Sequence, residues 1–255
     1  MGLEPCLVIW LRFSRLATLL KISMNNGTAM MLNNVGVVIL DCDGTIVDSQ
    51  IGIVSVMQET FEMHKLRIPK RNEILLGVGL ELGSGIERLL PRDNNLDINE
   101  LCKTYKNLAT YYRDKKTFDD QLYPDAEKII RKLHANGWLL GIATGKSSLG
   151  LEHVLSSHNM SDLFVTKQTS DSAAGKPNPE MLQNVMYETG ADADSIFMVG
   201  DTTYDICMAV NAGTRSIGVS WGYHGAAELT QAGADIIVHS YMELFELFNK
   251  MSRDY

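Results

Sequence analysis

A basic surplus is missing. The chain has 23 lysines and arginines against 31 aspartates and glutamates, a net charge of -8. A protein that grips a nucleic-acid polymer or lies on an anionic membrane needs a cationic face, so neither partner is expected. Cysteine is scarce too. Cys6, Cys42, Cys102 and Cys207 form no Cys-x-x-Cys pair, which argues against a zinc site or a disulfide framework. Free thiols in a reducing, cytoplasmic setting are expected instead, with Cys42 as a small buried filler. No apolar run near the start reaches the roughly 20 residues of a membrane-spanning helix; Leu7 to Leu20 is interrupted by Arg12 and Arg15. His64, His134, His153, His158, His224 and His239 show no metal-ligand spacing, and there is no internal repeat or low-complexity tract. What remains is 255 residues, 45% apolar and 21% charged, enough for one large domain or a core with an insertion.

The first thirty residues fit poorly with the rest. Glu4 is the sole acid before Asp41, while Arg12, Arg15 and Lys21 are basic. The segment has the character of a weak organelle-targeting peptide, or of an extension ahead of a working start at Met24, Met30 or Met31. Residues 1–30 are expected to be dispensable. A chain beginning at Met31 should stay soluble and active.

The rest is organised around Val35 to Gln50. An apolar strand runs from Val35 to Leu40 and stops at Asp41, with Asp43, Gly44 and Thr45 close behind. Buried carboxylates need a partner, hydrogen bonds or a metal, so the acids imply a site. Ile51 to Met63 carries apolar residues at helical spacing, and Ile74 to Leu90 and Leu96 to Tyr112 read as further helices. No strand signal occurs from Ile51 to Phe118, which reads as a helical insertion.

An α/β rhythm then resumes. The spacing predicts a helix over Asp125 to Ala135, a buried strand from Trp138 to Ala143, and a helix to Ser157 capped by Ser147 or Ser148. A short strand at Leu163 to Thr166 follows, then a loop, Gly175 to Glu180, that opens a helix at Pro179. The strand Ile196 to Val199, a helix closed by Gly213, strands at Ser216 to Val219 and Ile236 to Val238, and a helix from Met242 to Met251 complete the chain. The alternation predicts an α/β fold: a Rossmann-like parallel sheet built from residues 31–50 and 118–255, with an all-helical cap over residues 51–117.

Three of these strands end in polar residues: Asp41 and Asp43, Thr144, and Asp201 and Asp205. A parallel sheet puts all its carboxyl ends on one edge, where ligands bind. Lys176 can lean in from its loop. Four ionised acids need cations. Mg2+ and Lys176 together contribute +3, and Lys146 would bring the sum to zero if it reaches the site. Oxygen donors at a cleft suit Mg2+, which uses carboxylates, waters and substrate phosphate. The Thr144 hydroxyl and nearby backbone N–H groups can receive the phosphate. A carboxylate attacking phosphorus forms an acyl phosphate, and a second acid can protonate the leaving group and then activate water.

These residues also carry a family resemblance. The run Asp41-Cys42-Asp43-Gly44-Thr45-Ile46-Val47-Asp48-Ser49 resembles the first motif of the haloacid dehalogenase-like hydrolases. Ala143 to Lys146 resembles the second, Lys176 to Glu180 the third, and Gly200 to Asp205 the fourth. All four occur in order, and the closest likeness is to the phosphoglycolate phosphatase-like branch. The resemblance implies a cap inserted after the first motif. It implies Asp41 as nucleophile and metal ligand, and Asp43 as general acid/base with its carbonyl on the metal. Thr144 and Gly145 would bind phosphate, Lys176 would stabilise the nucleophile and the developing charge, and Asp201 would ligate Mg2+. Asp205 would support the metal water or Lys176. An acid at position 43 favours phosphoryl transfer over carbon–halogen cleavage.

Other patterns fall short. The run before Lys146 is not a P-loop, because Leu140 stands where that loop needs glycine, and the calcium-loop likeness at Asp41 fails at Thr45. Asp48 and Ser49 read as caps of the helix that follows. Leu80, Glu81 and Arg88 are candidates for reading the substrate's non-phosphate end. The reading is a Mg2+-dependent phosphatase acting on a small phosphorylated metabolite such as a phosphoglycolate-like acid, nucleotide or sugar phosphate. Alternatives are a phosphosugar mutase, a phosphonate hydrolase using Lys65, Lys70, Lys103 or Lys106, and a catalytically silent binder of phosphorylated ligands.

Overall fold

Strand β1 (Val37–Leu40) is wholly buried, and its side chains divide between two hydrophobic clusters. Val38 and Leu40 enter one, Val37 and Ile39 the other. This two-residue period is what a strand covered on both faces must show. The structure, a computed structural model, describes residues 36–92, 96–118 and 120–251. The expected N-terminal extension, residues 1–30, lies outside the described residues, as does Cys6.

Five more strands join β1 in one parallel sheet: β4 (Leu139–Ala143), β5 (Thr166–Gln168), β6 (Ile196–Gly200), β7 (Arg215–Val219) and β8 (Ile236–Val238). The order is β5-β4-β1-β6-β7-β8, so β1 is central. One face is covered by α5 (Ala126–Ala135), α6 (Ser148–Ser157) and α10 (Tyr241–Met251), which contribute Ile129, Leu133, Leu155, Leu244 and Phe248. The other is covered by α7 (Glu180–Thr189) and α8 (Thr203–Ala212) through Met181, Leu182, Val185, Met208 and Ala209. Each fully buried aliphatic side chain contributes about 1.5–3 kcal/mol, so the two faces supply most of the stability of the core. The predicted Rossmann-like sheet is therefore present.

Between β2 (Val47–Asp48) and β3 (Gln121–Leu122) the chain is helical. It contains α1 (Gln50–Met63), α2 (Arg71–Leu75), α3 (Leu82–Glu87) and α4 (Ile98–Asp114), which pack on their own cluster of Met57, Phe61, Ile74, Ile86 and Leu101. No described helix is long and apolar enough to cross a membrane.

The structure corrects several sequence readings. The single helix expected from Ile74 to Leu90 is two helices with a loop between them. Gly79 in that loop has φ +96, outside any right-handed helix. The strand expected at Leu163 to Thr166 is displaced to Thr166–Gln168, because β5 registers on β4 through Gly141↔Thr166 and Ala143↔Gln168. The two-residue antiparallel pair of β2 and β3 was not foreseen; two residues are too few to show alternation. Nor was α9 (Ala226–Gln231), whose six residues are too short for a clear period. As expected, Ser147 caps α6, accepting the Gly150 N–H at 3.2 Å, and Cys42 is fully buried.

Candidate active site

The register of β1 builds the site. Leu40 pairs with Ile142 on one side and Val199 on the other. The next residues, Asp41 on β1, Ala143-Thr144 on β4 and Gly200-Asp201 on β6, therefore emerge together at the carboxyl edge. Asp41 donates its N–H to the Val199 carbonyl at 2.9 Å, and Thr144 donates to the Gln168 carbonyl at 3.0 Å. The loop after Asp41 is held by Trp221 Nε1 and the Tyr241 hydroxyl, both donating to the Thr45 carbonyl at 3.0 Å.

Lys176 enters from the loop ahead of α7. Its ammonium is fully buried, 2.7 Å from Asp41 Oδ1 and 2.5 Å from Asp205 Oδ1. Burial opposes its charge, but Asp205 and Asp41 prevail and hold its pKa above the ordinary lysine value. The second oxygen of Asp205 accepts the Thr202 N–H at 3.0 Å and the Thr202 hydroxyl at 2.7 Å, closing the first turn of α8. Asp205 thus holds the lysine with one oxygen and its own helix with the other.

Asp201 is fully buried as well. It accepts the Thr45 hydroxyl at 2.9 Å and the Tyr223 N–H at 2.8 Å, one on each oxygen. Burial, with Asp41 and Asp205 nearby, pushes its pKa well above the usual range. Asp41 differs. Neither of its oxygens accepts a directional hydrogen bond; the Lys176 contact is an ion pair. Burial pushes Asp41 up to about 7, against Lys176 and with help from Asp205 and Asp43.

Ligand atoms of Asp41, Asp201 and Asp205 lie within 4.8 Å of one another. The donor set fits a hard divalent cation: all oxygen, buried, with two carboxylates held out of their usual ionisation range. Asp41 and Asp201 are the fitting side-chain ligands, since Asp41 has unused oxygens and each Asp201 oxygen keeps a lone pair. Asp205 is committed to Lys176 and Thr202. The Asp43 carboxylate is committed elsewhere, so its backbone carbonyl is what it can offer a metal.

Asp43 pairs with a different lysine. Its Oδ1 is 2.8 Å from Lys146 Nζ and also accepts the Ser49 hydroxyl. Lys146, whose reach the sequence left open, does line the site. Burial disfavours its ammonium, but Asp43 outweighs that and the pKa moves up. Ser49 corrects the sequence reading. It sits at the N-cap of α1, just ahead of Gln50, yet makes no side-chain cap there, because its hydroxyl is engaged by Asp43. The Tyr223 hydroxyl is 3.3 Å from the same oxygen. Ser49→Ala is expected to lower kcat about tenfold with little change in KM, through looser placement of Asp43; unchanged steady-state kinetics would remove Ser49 from the site.

A cavity of about 400 Å³ opens above this floor. Asp41, Asp43, Thr144, Gly145 and Lys146 line it from the sheet, while Lys176, Asp201 and Asp205 lie behind them. The α2–α3 loop closes one side. A Cβ on Gly145 would stand 2.7 Å from the Leu80 carbonyl, so only glycine admits that approach. The Tyr204 hydroxyl donates to the Leu76 carbonyl at 2.9 Å, tying α8 to the helical segment as well. Leu80 lines the cavity; Glu81 and Arg88 do not. The face of α4 that does line it carries Lys106, expected only for the phosphonate alternative, with Tyr105 and Arg113, which the sequence reading did not single out although Lys106 and Arg113 stand two helical turns apart.

A bare carboxylate oxygen backed by a buried lysine, at the mouth of a parallel sheet, suits attack on a phosphate ester. The chain belongs to the haloacid dehalogenase-like hydrolases: that family's model matches residues 38–219, which contain all four motifs. Two relatives span nearly its whole described length. "Probable phosphatase IndB" of Dickeya dadantii is 31% identical over 216 residues, 81% of this chain and 90% of that one. "Pyrophosphatase PpaX" of Bacillus cereus is 26% identical over 220 residues, 86% of this chain and 99% of that one. A solved haloacid dehalogenase-like hydrolase from Bacteroides fragilis superposes with a TM-score of 0.75 at 25% identity, covering 82% of this chain and 99% of its own.

Proposed function

We propose that this chain is a Mg2+-dependent phosphatase that hydrolyses a small phosphate monoester through an aspartyl-phosphate intermediate. The observation that carries the reading is Asp41, a buried carboxylate with no directional hydrogen bond, paired to Lys176 and facing the cavity. In the first step an Asp41 oxygen attacks phosphorus, the phosphorus–oxygen ester bond breaks, and Asp43 gives its proton to the departing oxygen. In the second, Asp43 takes a proton from water, whose oxygen attacks the same phosphorus. The bond to Asp41 then breaks and inorganic phosphate leaves. Lys176 favours the ionised form of Asp41 and offsets charge on the phosphoryl oxygens, and Thr144 and Gly145 receive that group. Mg2+, held by Asp41, Asp201 and the Asp43 carbonyl, would supply charge neutralisation at the phosphoryl oxygens. The segment from α1 to α4 serves as the cap, excluding bulk water while substrate is bound.

EDTA is expected to abolish phosphate release from p-nitrophenyl phosphate, and added Mg2+ to restore it; a rate indifferent to EDTA removes the metal from the proposal. Phosphate release also separates this reading from a mutase, which returns the phosphoryl group to its substrate, and from a silent binder. A phosphonate hydrolase working through an imine is the second reading, because Lys106 lines the cavity. Imine-forming lysines are desolvated in apolar pockets, whereas Lys106 is exposed. Borohydride inactivation in the presence of a phosphonate aldehyde would revive that reading.

A further inference from the structure

The cavity is larger than a phosphate group and a two-carbon acid would fill, and its charges are unevenly placed. Its floor is the buried pair Asp41 and Thr144. Its middle is apolar, with Ile53, Met57, Val78, Leu80 and Leu82. Its rim is marked by Leu149, 65% exposed, and by Lys106 and Arg113 on one face of α4. Lys146 and Lys176 each hold a carboxylate. Lys106 and Arg113 do not: neither has an ion-pair partner among the described residues. Arg113 donates once, to the Thr110 hydroxyl at 2.9 Å, leaving most of its guanidinium fork unused. Asp171, the one acid at the rim among the described residues, has an oxygen occupied by the Ser148 N–H at 2.7 Å.

We propose that Lys106 and Arg113 form a second anion subsite. The substrate is then a phosphate monoester with an elongated, apolar middle and a second anionic group at its far end. This rests on the phosphatase reading, which puts the scissile phosphate at Asp41. Tyr105, near enough to Lys146 and Asp43 to feel their charges, marks the inner end of the α4 face. Arg113 is two turns further along, about 12 Å at 1.5 Å per residue. A short leaving group can meet Lys106 alone; one with several carbons between its charges can run past it to Arg113, burying its middle on the apolar wall. An arginine fork, with a lysine two turns back on the same helix, is suited to carboxylate or phosphate.

The test is calorimetric titration of the Mg2+-loaded full chain with phosphonates, whose carbon–phosphorus bond stands in for the ester. One arm uses ω-phosphonocarboxylates of increasing chain length and a second uses α,ω-bisphosphonates. Each is compared with the alkylphosphonate of equal length. Beyond a threshold length, the anionic end is expected to improve affinity roughly tenfold, as for two partly solvated charge contacts, and salt should reduce the gain. The arm with the larger gain identifies the anion. The gain should vanish in the Lys106→Gln/Arg113→Gln protein and largely survive in Arg113→Lys. No gain at any length, no phosphonate binding, or a gain that persists in the double variant overturns the subsite. Turnover of p-nitrophenyl phosphate is read separately. A protein that shows the length-dependent gain but releases no phosphate keeps the subsite and loses the phosphatase.

Discussion

Replacing Asp41 with asparagine is expected to cut phosphate release at least about a thousandfold while raising the melting temperature in metal-free buffer near neutral pH. An amide oxygen is a poor nucleophile and cannot form the acyl phosphate, hence the first effect. The second follows from burial, which pushes Asp41 up to about 7 despite Lys176, with Asp205 and Asp43 adding to it. The unfolded chain should hold this group at about 3.9. A carboxyl whose folded pKa lies above its unfolded one contributes stability that is complete below about pH 4 and is lost as pH rises to about 7. Asparagine has no proton to lose, so the variant escapes that loss. Its advantage should amount to several degrees at about pH 7.5 and nearly disappear at about pH 4.5, since each pKa unit is worth about 1.4 kcal/mol. Scanning fluorimetry across pH reads the second effect and a phosphate assay the first. Retained turnover rules out Asp41 as nucleophile. A stability difference that ignores pH rules out the electrostatic account.

Lys176→Met should be the most damaging substitution for stability. The lysine is fully buried between Asp41 and Asp205, and its removal strips both carboxylates of their nearest positive charge. Losing one member of a buried ionic cluster costs about 3–5 kcal/mol, which for a chain of this size lowers the melting temperature by about 10 °C. The deficit should shrink in acid, where the stranded carboxyls take up protons, and be largest at neutral pH. Adding Asp205→Asn removes one stranded charge. The double variant should regain much of the lost melting temperature and none of the lost turnover. If it melts no higher than Lys176→Met alone, charge burial is not what the lysine relieves.

The site was largely legible in the sequence because its residues stop apolar strands. Asp41, Thr144 and Asp201 each follow a buried run, and a parallel sheet can only deliver them to one edge. Lys176 and its partner Asp41 were legible through their motifs, but which of its two expected roles Asp205 takes, holding the lysine or the metal water, was not, since Asp205 and Lys176 lie far apart along the chain. Ser49 was misread for the same reason. A serine ahead of a helix looks like a cap until Asp43, folded back by the turn after β1, claims its hydroxyl. Glu81 and Arg88 belong to a glycine-rich stretch that suggested a recognition loop, yet the charges the helical segment gives the cavity, Lys106 and Arg113, come from α4. Which face of that helix looks inward depends on the packing of α1, α3 and α4 around Phe61 and Leu101, which helical spacing alone leaves open.

The linear order of residues by itself settled the parallel sheet, the helical insertion and the family, because strand periodicity and motif spacing are local properties of the chain. Only the tertiary structure decided how the charges pair: Lys176 with Asp41 and Asp205, Lys146 with Asp43, and Lys106 and Arg113 with no acid among the described residues. Coulombic partners and burial are set by distances between segments remote in sequence, and no local pattern encodes them.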